Sequence, residues 1–299
     1  MNIILHNSQS PGDIVASTVA IHCLHKQYPN QYLTDYRCCC AEILKYNPNI
    51  NNLTNGKNIQ LHCDAVHESD KRRVHLTQAY CEHLEKELNI KIKCDEIKPF
   101  LYLSPEEKKG RIIKEKYWCI NCGYKTDYTT KAWSSCYFQE VINHFKNKIK
   151  FIQIGELSPG HMHPNIDGVI DMRGKTTHRQ LMQLTYHSQG CLTTISYLHH
   201  IAAAFSKPCV TLVPGFEPIH WGAYYPTTRI LSLHGALSCC KTAACWKARV
   251  IKLNDGSKND NSLCKYPYEV NDQPIAKCMA LITPQKVITA IEEFEGYEL

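Results

Sequence analysis

Short apolar runs alternate with helix-length segments along most of this 299-residue chain. Residues 2–6 predict a strand, a loop containing Pro11 and Gly12 follows, and residues 13–27 predict a helix with a broad apolar face. The same order repeats, more strongly, after Tyr117. Alternation of this kind is typical of mostly parallel sheets flanked by helices. We therefore predict an α/β fold.

The length of the chain predicts two domains, since a domain commonly has about 150 residues. Residues 90–116 are lysine-rich and weakly patterned, apart from a strand expected at 100–103. We place the boundary there, with an N-terminal Rossmann-like domain at 1–112 and a C-terminal one at 113–299. The second domain would include a cysteine-rich segment at 238–280 and a closing helix at 284–295. Ligands of such sheets bind at the carboxyl ends of the strands, so a site is expected in the cleft between the domains.

Charge and hydropathy exclude several classes of protein. The net charge is +6, from 34 Lys and Arg against 28 Asp and Glu, and the longest basic run is Lys71-Arg72-Arg73. A nucleic-acid-binding module built on the cysteine-rich segment is therefore disfavoured. No stretch approaches the roughly 20 apolar residues of a membrane helix, and the first residues lack the features of a signal peptide. We expect a cytoplasmic protein, whose charge also permits peripheral contact with an anionic inner membrane.

Two stretches at predicted strand-to-helix junctions carry candidate site residues. Asp13 lies at the start of the first helix, where it would be either a general base at the cleft or only a helix cap. Thr129, Thr130 and Lys131 follow the strand at 117–121. Hydroxyls, a lysine and free backbone amides can form a phosphate cradle, although an ordinary capped loop with an exposed lysine explains the same residues.

Two further junctions lie later in the chain. Thr176 is predicted to cap a helix that ends near 187. Ser196 precedes a helix at 197–205, whose N-terminus would face the cleft and could bind an anion. His200 on that helix is either a donor to a phosphate or a structural histidine.

Seventeen cysteines are unusual for a chain without an export signal. The cytosol keeps thiols reduced, so a disulfide scaffold is not expected. Five cysteines fall in the weakly periodic segment 238–280, which has little means to form a core of its own: Cys239, Cys240, Cys245, Cys264 and Cys278. A tetrahedral four-cysteine site for structural iron or zinc would stabilise this segment, with one of the adjacent Cys239 and Cys240 spare. Buried free thiols remain the alternative. Packing roles are expected for the groups Cys38–Cys40 and Cys119/Cys122.

Together these stretches resemble a known family. The order SPGDIVASTVAIHCL, YTTKAW, DMRGKTTHRQLMQL and LHHIAAAFSKPCVTLVPG is similar to that of the ADP-heptose heptosyltransferases of glycosyltransferase family 9, which have a GT-B fold. The likeness covers nearly the whole chain and is strongest at 117–225. The cysteine-rich tail resembles a narrower branch, the iron-binding heptosyltransferases that modify autotransporter proteins.

The resemblance implies a role for each matching residue. Asp13 corresponds to the catalytic base, Lys131 to the lysine on the donor diphosphate, and Thr129 and Thr130 to its paired hydroxyls. His200 corresponds to the histidine of the donor motif. More loosely, Glu156 corresponds to a glutamate on the nucleotide ribose. The implied activity is inverting transfer of a heptose-like sugar from ADP-heptose to a hydroxyl of a glycan or a protein, with no catalytic metal.

One departure from the family pattern favours a second hypothesis. The family's Asp-Ser/Thr-Gly reads Ile195-Ser196-Tyr197 here, so only the hydroxyl of Ser196 is kept. A tyrosine in place of glycine narrows the approach of the backbone to a diphosphate. The alternative is therefore a non-catalytic nucleotide-sugar-binding protein with the same fold. The sequence leaves the acceptor and any homo-oligomer open.

Overall fold

The computed structural model describes residues 1–68, 71–254, 256 and 263–296. A first, three-stranded parallel sheet has the order β2-β1-β3, so the chain begins in the central strand. Its elements, with the two helices that follow, are β1 (Asn2–Asn7), α1 (Pro11–Gln27), β2 (Leu33–Cys38), β3 (Lys57–Gln60), α2 (Leu76–Leu88) and α3 (Pro105–Lys109).

A second sheet contains six parallel strands in the order β11-β10-β9-β4-β6-β8. Its strands and helices are β4 (Trp118–Asn121), α4 (Ser135–His144), β6 (Phe151–Gln153), β8 (Ile170–Asp171), α5 (His178–His187), β9 (Gly190–Thr194), α6 (Tyr197–Ala204), β10 (Cys209–Val213) and β11 (Thr228–Ser232). The strands β9 and β10 are buried along their whole length, which is expected of central strands covered on both faces.

Smaller elements decorate the edges of the second sheet. They are the antiparallel pairs β5 (Tyr124–Lys125) with β7 (His161–Met162) and β12 (Pro267–Val270) with β13 (Gln273–Ala276), and the helices α7 (Lys277–Ala280) and α8 (Pro284–Glu295). Five 3-10 helices occupy Ala41–Leu44, Asp64–Glu68, Thr126–Lys131, Ile219–Trp221 and Ser238–Cys240 among the described residues. Residues 255 and 257–262 of the predicted cysteine-rich segment lie outside the described residues.

One apolar core joins the two sheets. It is formed by α1 and the first sheet together with the inner residues of α6, including Leu198, Ile201 and Ala202. The helix α1 is buried on nearly all sides because it packs against α2 and α6 and shares an apolar core with the first sheet. A second core around Trp118 and Phe138 lies on the other face of the six-stranded sheet and is covered by α8. Contact between α1 and α6 therefore fixes the two candidate helix starts beside each other.

Three local predictions are wrong. The N-cap of α1 is Ser10 and not Asp13, because Pro11 takes the first helical position and Asp13 lies within the first turn. The N-cap of α5 is Thr177 and not Thr176, because only Thr177 forms a reciprocal capping box with Gln180. Residues 100–103 form no strand, since they cross α1 as an irregular segment in which the Phe100 amide donates to Thr18 Oγ1.

The strand predicted at 117–121 and the helices predicted at 197–205 and 284–295 occur within one residue of these bounds, as β4, α6 and α8. No helix within the described ranges has the length and apolar character needed to cross a bilayer.

Candidate active site

The loop between β1 and α1 lies directly against the start of α6. Gly12 is buried there, and a Cβ atom at this position would be 3.1 Å from His200 Cδ2 and 3.5 Å from Tyr197 Cα. A larger side chain would push the two helix starts apart. The glycine of the Ser10–Asp13 stretch is thus needed for a close approach between elements.

Asp13 lies in the first turn of α1 and is half-buried. The Ser10 hydroxyl donates a 2.6 Å hydrogen bond to Asp13 Oδ2. Burial raises the pKa of Tyr80 and of Tyr224, and the negative charge of Asp13 raises both further. These tyrosines belong to α2 and to the loop after β10, so the Asp13 carboxylate acts on groups from both halves of the molecule.

His200, on the buried side of α6, contacts the loop after β10. Its Nδ1 lies 2.8 Å from the Tyr224 hydroxyl. Burial lowers the pKa of His200 well below its usual range, and the nearby His199, His75 and Lys131 charges lower it further. His200 is therefore a neutral imidazole at pH 7, which can donate or accept a hydrogen bond but brings no positive charge.

Two more histidines adjoin this contact, of which His199 is fully buried and His75 is half-buried. His75 caps α2 by accepting the Thr77 amide on Nδ1, and its ring lies 5.0 Å from that of Tyr224. Burial lowers the pKa of His75 to about 3. His199 Nε2 is 2.6 Å from the Gly222 carbonyl, which can only accept, so the Nδ1 of His199 must accept from the Thr211 hydroxyl. His199 is consequently a structural residue next to His200.

Lys131 forms a largely desolvated ion pair at the end of the 3-10 helix Thr126–Lys131. Its Nζ lies 2.5 Å from Glu217 Oε1, and the two side chains are 25% and 9% exposed. The same ammonium lies 5.5 Å from the ring centre of Tyr128 and 5.7 Å from that of Phe216. Its position is therefore fixed by one carboxylate and two aromatic faces. An anionic ligand that reached Lys131 would compete with Glu217.

Thr129 and Thr130 are buried, and their hydroxyls bond to the backbone of the cysteine-rich side of the molecule. Thr129 Oγ1 accepts from the Val250 amide at 3.0 Å. Thr130 Oγ1 lies 3.0 Å from the Lys247 carbonyl and 2.9 Å from the Ala248 carbonyl. In this conformation both threonines hold the Lys131 loop against residues 247–250.

Ser196 is the N-cap of α6, but its hydroxyl bonds sideways to Thr193 Oγ1 at 2.9 Å instead of capping the helix. Tyr197 follows, with its ring 5.4 Å from that of His178. Its hydroxyl is buried without a hydrogen-bond partner in the described part of the chain, and burial raises its pKa well above the usual range. The position that resembles the family glycine thus carries a half-buried aromatic ring whose hydroxyl is enclosed.

Glu156 is exposed just after β6, at the carboxyl edge of the second sheet. Its neighbour His163 inserts between Gly123 and Gly155, at either of which a Cβ atom would come within 2.1 Å of the imidazole. Burial lowers the pKa of His163 to about 4, an effect that the Glu156 charge opposes. The two glycines are needed to admit this ring.

The five cysteines of the C-terminal segment separate into a group of four and a single residue. Cys239, Cys245, Cys264 and Cys278 line one cavity, together with Gly215 and Thr130. Burial raises the pKa of Cys278 to about 12, and charges on the other three cysteines of the group raise it further. The Gly215 amide donates to Cys278 Sγ at 3.4 Å.

The fifth cysteine is Cys240, which bonds away from this group. Its sulfur accepts from the Gly235 amide at 3.3 Å and lies 3.6 Å from the Leu233 carbonyl. One member of the adjacent pair therefore has partners of its own in a turn of the chain.

Sequence reasoning missed three residues of the site, namely Glu217, Tyr224 and His75. Glu217 follows the buried strand β10 within four residues, and its position after a strand end was the available signal. Tyr224 and His75 lie in irregular segments on either side of the contact between the two halves, and no local pattern marks them.

Most of the chain matches a known protein family. The family model described as glycosyltransferase family 9 (heptosyltransferase) matches residues 59–250. A search of curated proteins by sequence finds no match. Among solved structures, a family 9 glycosyl transferase from Veillonella parvula is 14% identical with a TM-score of 0.67, and the match covers 99% of this chain and 97% of that one.

Two Escherichia coli structures are similar over nearly the whole chain. ADP-heptose LPS heptosyltransferase II is 14% identical with a TM-score of 0.61 and 98% coverage of both chains. The dodecameric iron-containing heptosyltransferase TibC, solved with ADP-D-β-D-heptose, is 18% identical with a TM-score of 0.69, covering 99% of this chain and 77% of that one. These likenesses confirm the predicted α/β fold of GT-B type.

Proposed function

The chain belongs to glycosyltransferase family 9, the heptosyltransferase family, and from this premise we propose that it transfers a heptose-like sugar from ADP-heptose to an acceptor hydroxyl with inversion at the anomeric carbon. The observation that carries the proposal is the contact between the β1–α1 loop and the start of α6. This contact places Asp13 close to the His200–Tyr224 pair, with Lys131 close enough to affect the pKa of His200.

Asp13 is the proposed general base. Its carboxylate would take the proton of the acceptor hydroxyl as the acceptor oxygen attacks the anomeric carbon. The bond from that carbon to the diphosphate oxygen breaks, and the electron pair leaves with the nucleoside diphosphate. Ser10, which donates to Asp13, would hold the carboxylate in position.

Lys131 is the proposed partner of the leaving diphosphate. As the bond to the sugar breaks, negative charge grows on the diphosphate, and a fixed ammonium in a partly desolvated place stabilises that charge. The N–H groups at the start of α6 would add to this effect. Glu217 must give up its ion pair with Lys131 when the donor binds. Thr129 and Thr130 would serve by holding the Lys131 loop through their bonds to residues 247–250.

We assign Glu156 only a candidate contact with the donor ribose, because it lies exposed at the carboxyl edge of the sheet where donor loops gather. Ser196 is assigned a supporting place at the start of α6.

We propose that the N-terminal domain spans residues 1–112 and the C-terminal domain residues 113–299. The acceptor class is a hydroxyl of a glycan or a protein.

We propose that the four cysteines of this cavity bind a structural metal ion. Their sulfur atoms must draw together to do so, because within the described residues no three of them lie within 4.8 Å of one another. Four sulfur donors satisfy a tetrahedral iron or zinc ion and leave no open coordination position, so the ion would serve stability rather than the reaction. A backbone amide that donates to Cys278 is a favourable second contact for a thiolate ligand. Cys239, Cys245, Cys264 and Cys278 would hold the ion, with Cys240 as the spare. The metal would thereby fix the cysteine-rich segment on which the Lys131 loop depends.

A binding protein without turnover is the second candidate, and Tyr197 favours it. A tyrosine side chain at this position removes the close backbone approach that a glycine gives to a diphosphate. This candidate predicts that the donor nucleotide binds but that no sugar is transferred to any hydroxyl acceptor.

Calorimetric titration with ADP, UDP and GDP is the first test. We expect selective binding of ADP, weakened about 10-fold or more by Lys131→Met, since a charge-assisted contact is worth about 1.5–3 kcal/mol. Lys125→Met is the matched control, because Lys125 lies just before the same 3-10 helix and is half-exposed. Equal weakening by both variants, or no ADP binding, would count against the proposed donor site.

Assay of ADP release from ADP-heptose in the presence of glycan and protein acceptors then separates enzyme from binding protein.

Cys264→Ser provides the metal test. We expect loss of one iron or zinc ion per chain and a lower melting temperature. Unchanged metal content would refute the four-cysteine site.

A further inference from the structure

A second group of cysteines lies in the N-terminal half, outside everything described so far. Cys23 on α1, Cys81 on α2 and Cys94 in the segment after α2 place their sulfur atoms within 4.8 Å of one another. Cys23 and Cys81 are fully buried, and Cys94 is half-buried. Three sequence-distant segments thus direct a thiol to one point, and in the part of the chain that the structure describes this is the group that brings three potential metal ligands so close.

Other buried cysteines lack this arrangement. Cys119, Cys191 and Cys209 stand in register on the neighbouring strands β4, β9 and β10, which is ordinary packing within a sheet. In the triad, by contrast, Cys81 and Cys94 both lie within hydrogen-bond reach of the Cys23 sulfur. A tetrahedral zinc ion with sulfur bonds of about 2.3 Å needs sulfur atoms roughly 3.8 Å apart. The observed spacing admits such an ion after small side-chain movements.

A carboxylate beside Cys23, outside the close group of three sulfurs, can become the fourth donor after a side-chain movement. Asp95 Oδ1 is 3.8 Å from Cys23 Sγ, and the other carboxylate oxygen accepts from Lys26 Nζ at 2.9 Å. Three thiolates and a carboxylate carry more negative charge than a divalent cation neutralises, and Lys26 offsets part of the excess. The donor set of three sulfurs and one oxygen suits a borderline-soft divalent cation of the zinc class.

We propose that Cys23, Cys81, Cys94 and Asp95 bind a zinc ion that joins α1, α2 and the segment after α2. On binding, each thiol that is still protonated gives its proton to solvent, and no oxidant or reductant takes part.

A chain of side-chain contacts connects the proposed zinc site to the cleft. Cys94 is within hydrogen-bond reach of Thr77, whose hydroxyl lies 2.8 Å from His75 Nδ1. His75 begins α2 and packs its ring against Tyr224. The ion would therefore hold the start of α2, and with it His75, in place at the cleft. This role is structural, since three protein sulfurs and a carboxylate fill the coordination sphere.

The test counts zinc per chain in a background that lacks the C-terminal site. In Cys245→Ser/Cys264→Ser, purified with zinc under reducing conditions, we expect one bound zinc per chain by mass spectrometry. Adding Cys94→Ser should remove it. Adding Cys63→Ser, the matched control, should leave it, because Cys63 is also half-buried in the N-terminal half but bonds to Gln9. No zinc in the background, or full zinc after Cys94→Ser, would overturn the proposal.

Cadmium NMR of the wild-type chain guards against variants that fail to fold. A cadmium signal typical of three sulfurs and one oxygen supports the site, and its absence from cadmium-loaded protein refutes it. A mass two hydrogens lower in metal-free protein purified under the same reducing conditions, with the linkage mapped to this triad, would identify a disulfide instead and also refute it. The C-terminal four-sulfur site gives a separate signal, so failure of one site leaves the other testable.

Discussion

The two sides of the candidate active site are built in different ways. Asp13 and His200 stand on the first turns of α1 and α6, helices that pack against each other and share one apolar core. Lys131 ends a short 3-10 helix that is held by bonds to residues 247–250 and by Glu217. The first, the helix side, is positioned by regular secondary structure. The second, the loop side, is positioned by irregular chain next to a cysteine cavity.

This difference indicates what the cysteine-rich segment contributes. The loop after β10 supplies Glu217 to Lys131 and the Gly215 amide to Cys278, while Thr130 borders the same cavity. Residues that position the proposed phosphate contact are thus the immediate neighbours of the four cysteines. A bound ion there would hold the Lys131 side rigid, as helix packing does around Asp13.

Removal of the proposed base should have the largest effect. Asp13→Asn keeps the shape of the side chain but removes the proton acceptor, so transfer should fall about 10²–10⁴-fold. Because α1 and α6 do not depend on this carboxylate for their packing, the melting temperature and ADP affinity should change little. Initial rates of ADP release and calorimetry measure the two effects separately. Equal loss of ADP binding would show that Asp13 acts on the donor and not on the acceptor.

Lowering the pH should lower the free energy of unfolding through the buried histidine of the helix side. His199 is buried and its pKa is lowered to about 4, whereas an unfolded histidine titrates near 6.5. The unfolded state takes up the proton first, so the stabilisation is complete above pH 6.5 and is lost as the pH falls towards 4. The expected cost for His199 is about 3 kcal/mol across that window.

The measurement is the free energy of unfolding by urea at intervals between pH 8 and pH 5. His199→Gln should make the pH dependence less steep, because His75, His163 and His200 keep their lowered pKa values. His67→Gln, which changes an exposed histidine, should leave the pH dependence unchanged. A wild-type free energy that stays constant between pH 7 and pH 5 would contradict the buried neutral state.

Much of the helix side was predictable from the sequence, and little of the loop side was. The strand β1, the helix start near Asp13 and the helix that bears His200 all follow from local periodicity, because their apolar faces repeat along the chain. The partners of Thr130 and Lys131 lie more than 80 residues away along the chain, at 247–248 and at Glu217, and no local pattern encodes such pairing.

Other sequence-based errors have equally local causes. Ser10 and Thr177 are the N-caps in place of Asp13 and Thr176 because the helices begin at Pro11 and His178, and backbone angles decide where a helix begins. The triad of Cys23, Cys81 and Cys94 was invisible because its members are 58 and 13 residues apart and lie in segments without a ligand motif. Contacts that join distant irregular segments require the structure.

Thr130→Val tests the dependence of the loop side on the cysteine-rich segment. The substitution keeps the volume but removes the hydroxyl that bonds to two backbone carbonyls. We expect a loss of stability of about 1–3 kcal/mol, together with weaker ADP binding, because the Lys131 loop loses its anchor. Thr126→Val, in the same 3-10 helix, is the control. Weaker stability with unchanged ADP affinity would mean that the loop keeps its place without this anchor.

The smallest effect is expected from Glu217→Gln, which leaves Lys131 without its carboxylate partner. Without ligand, an unpaired ammonium in a partly buried place lowers stability. With ADP, the diphosphate no longer competes with a carboxylate, so affinity should rise by a few-fold, or about 1 kcal/mol. Glu115→Gln, which breaks the exposed pair with Lys150, should change neither quantity. Melting temperatures with and without ADP test both expectations, since the ligand should restore the stability that the variant loses. If the variant instead binds ADP more weakly, Glu217 is a positioning residue that Lys131 needs in the complex. The ion pair would then hold the loop side as firmly as the apolar core holds the helix side.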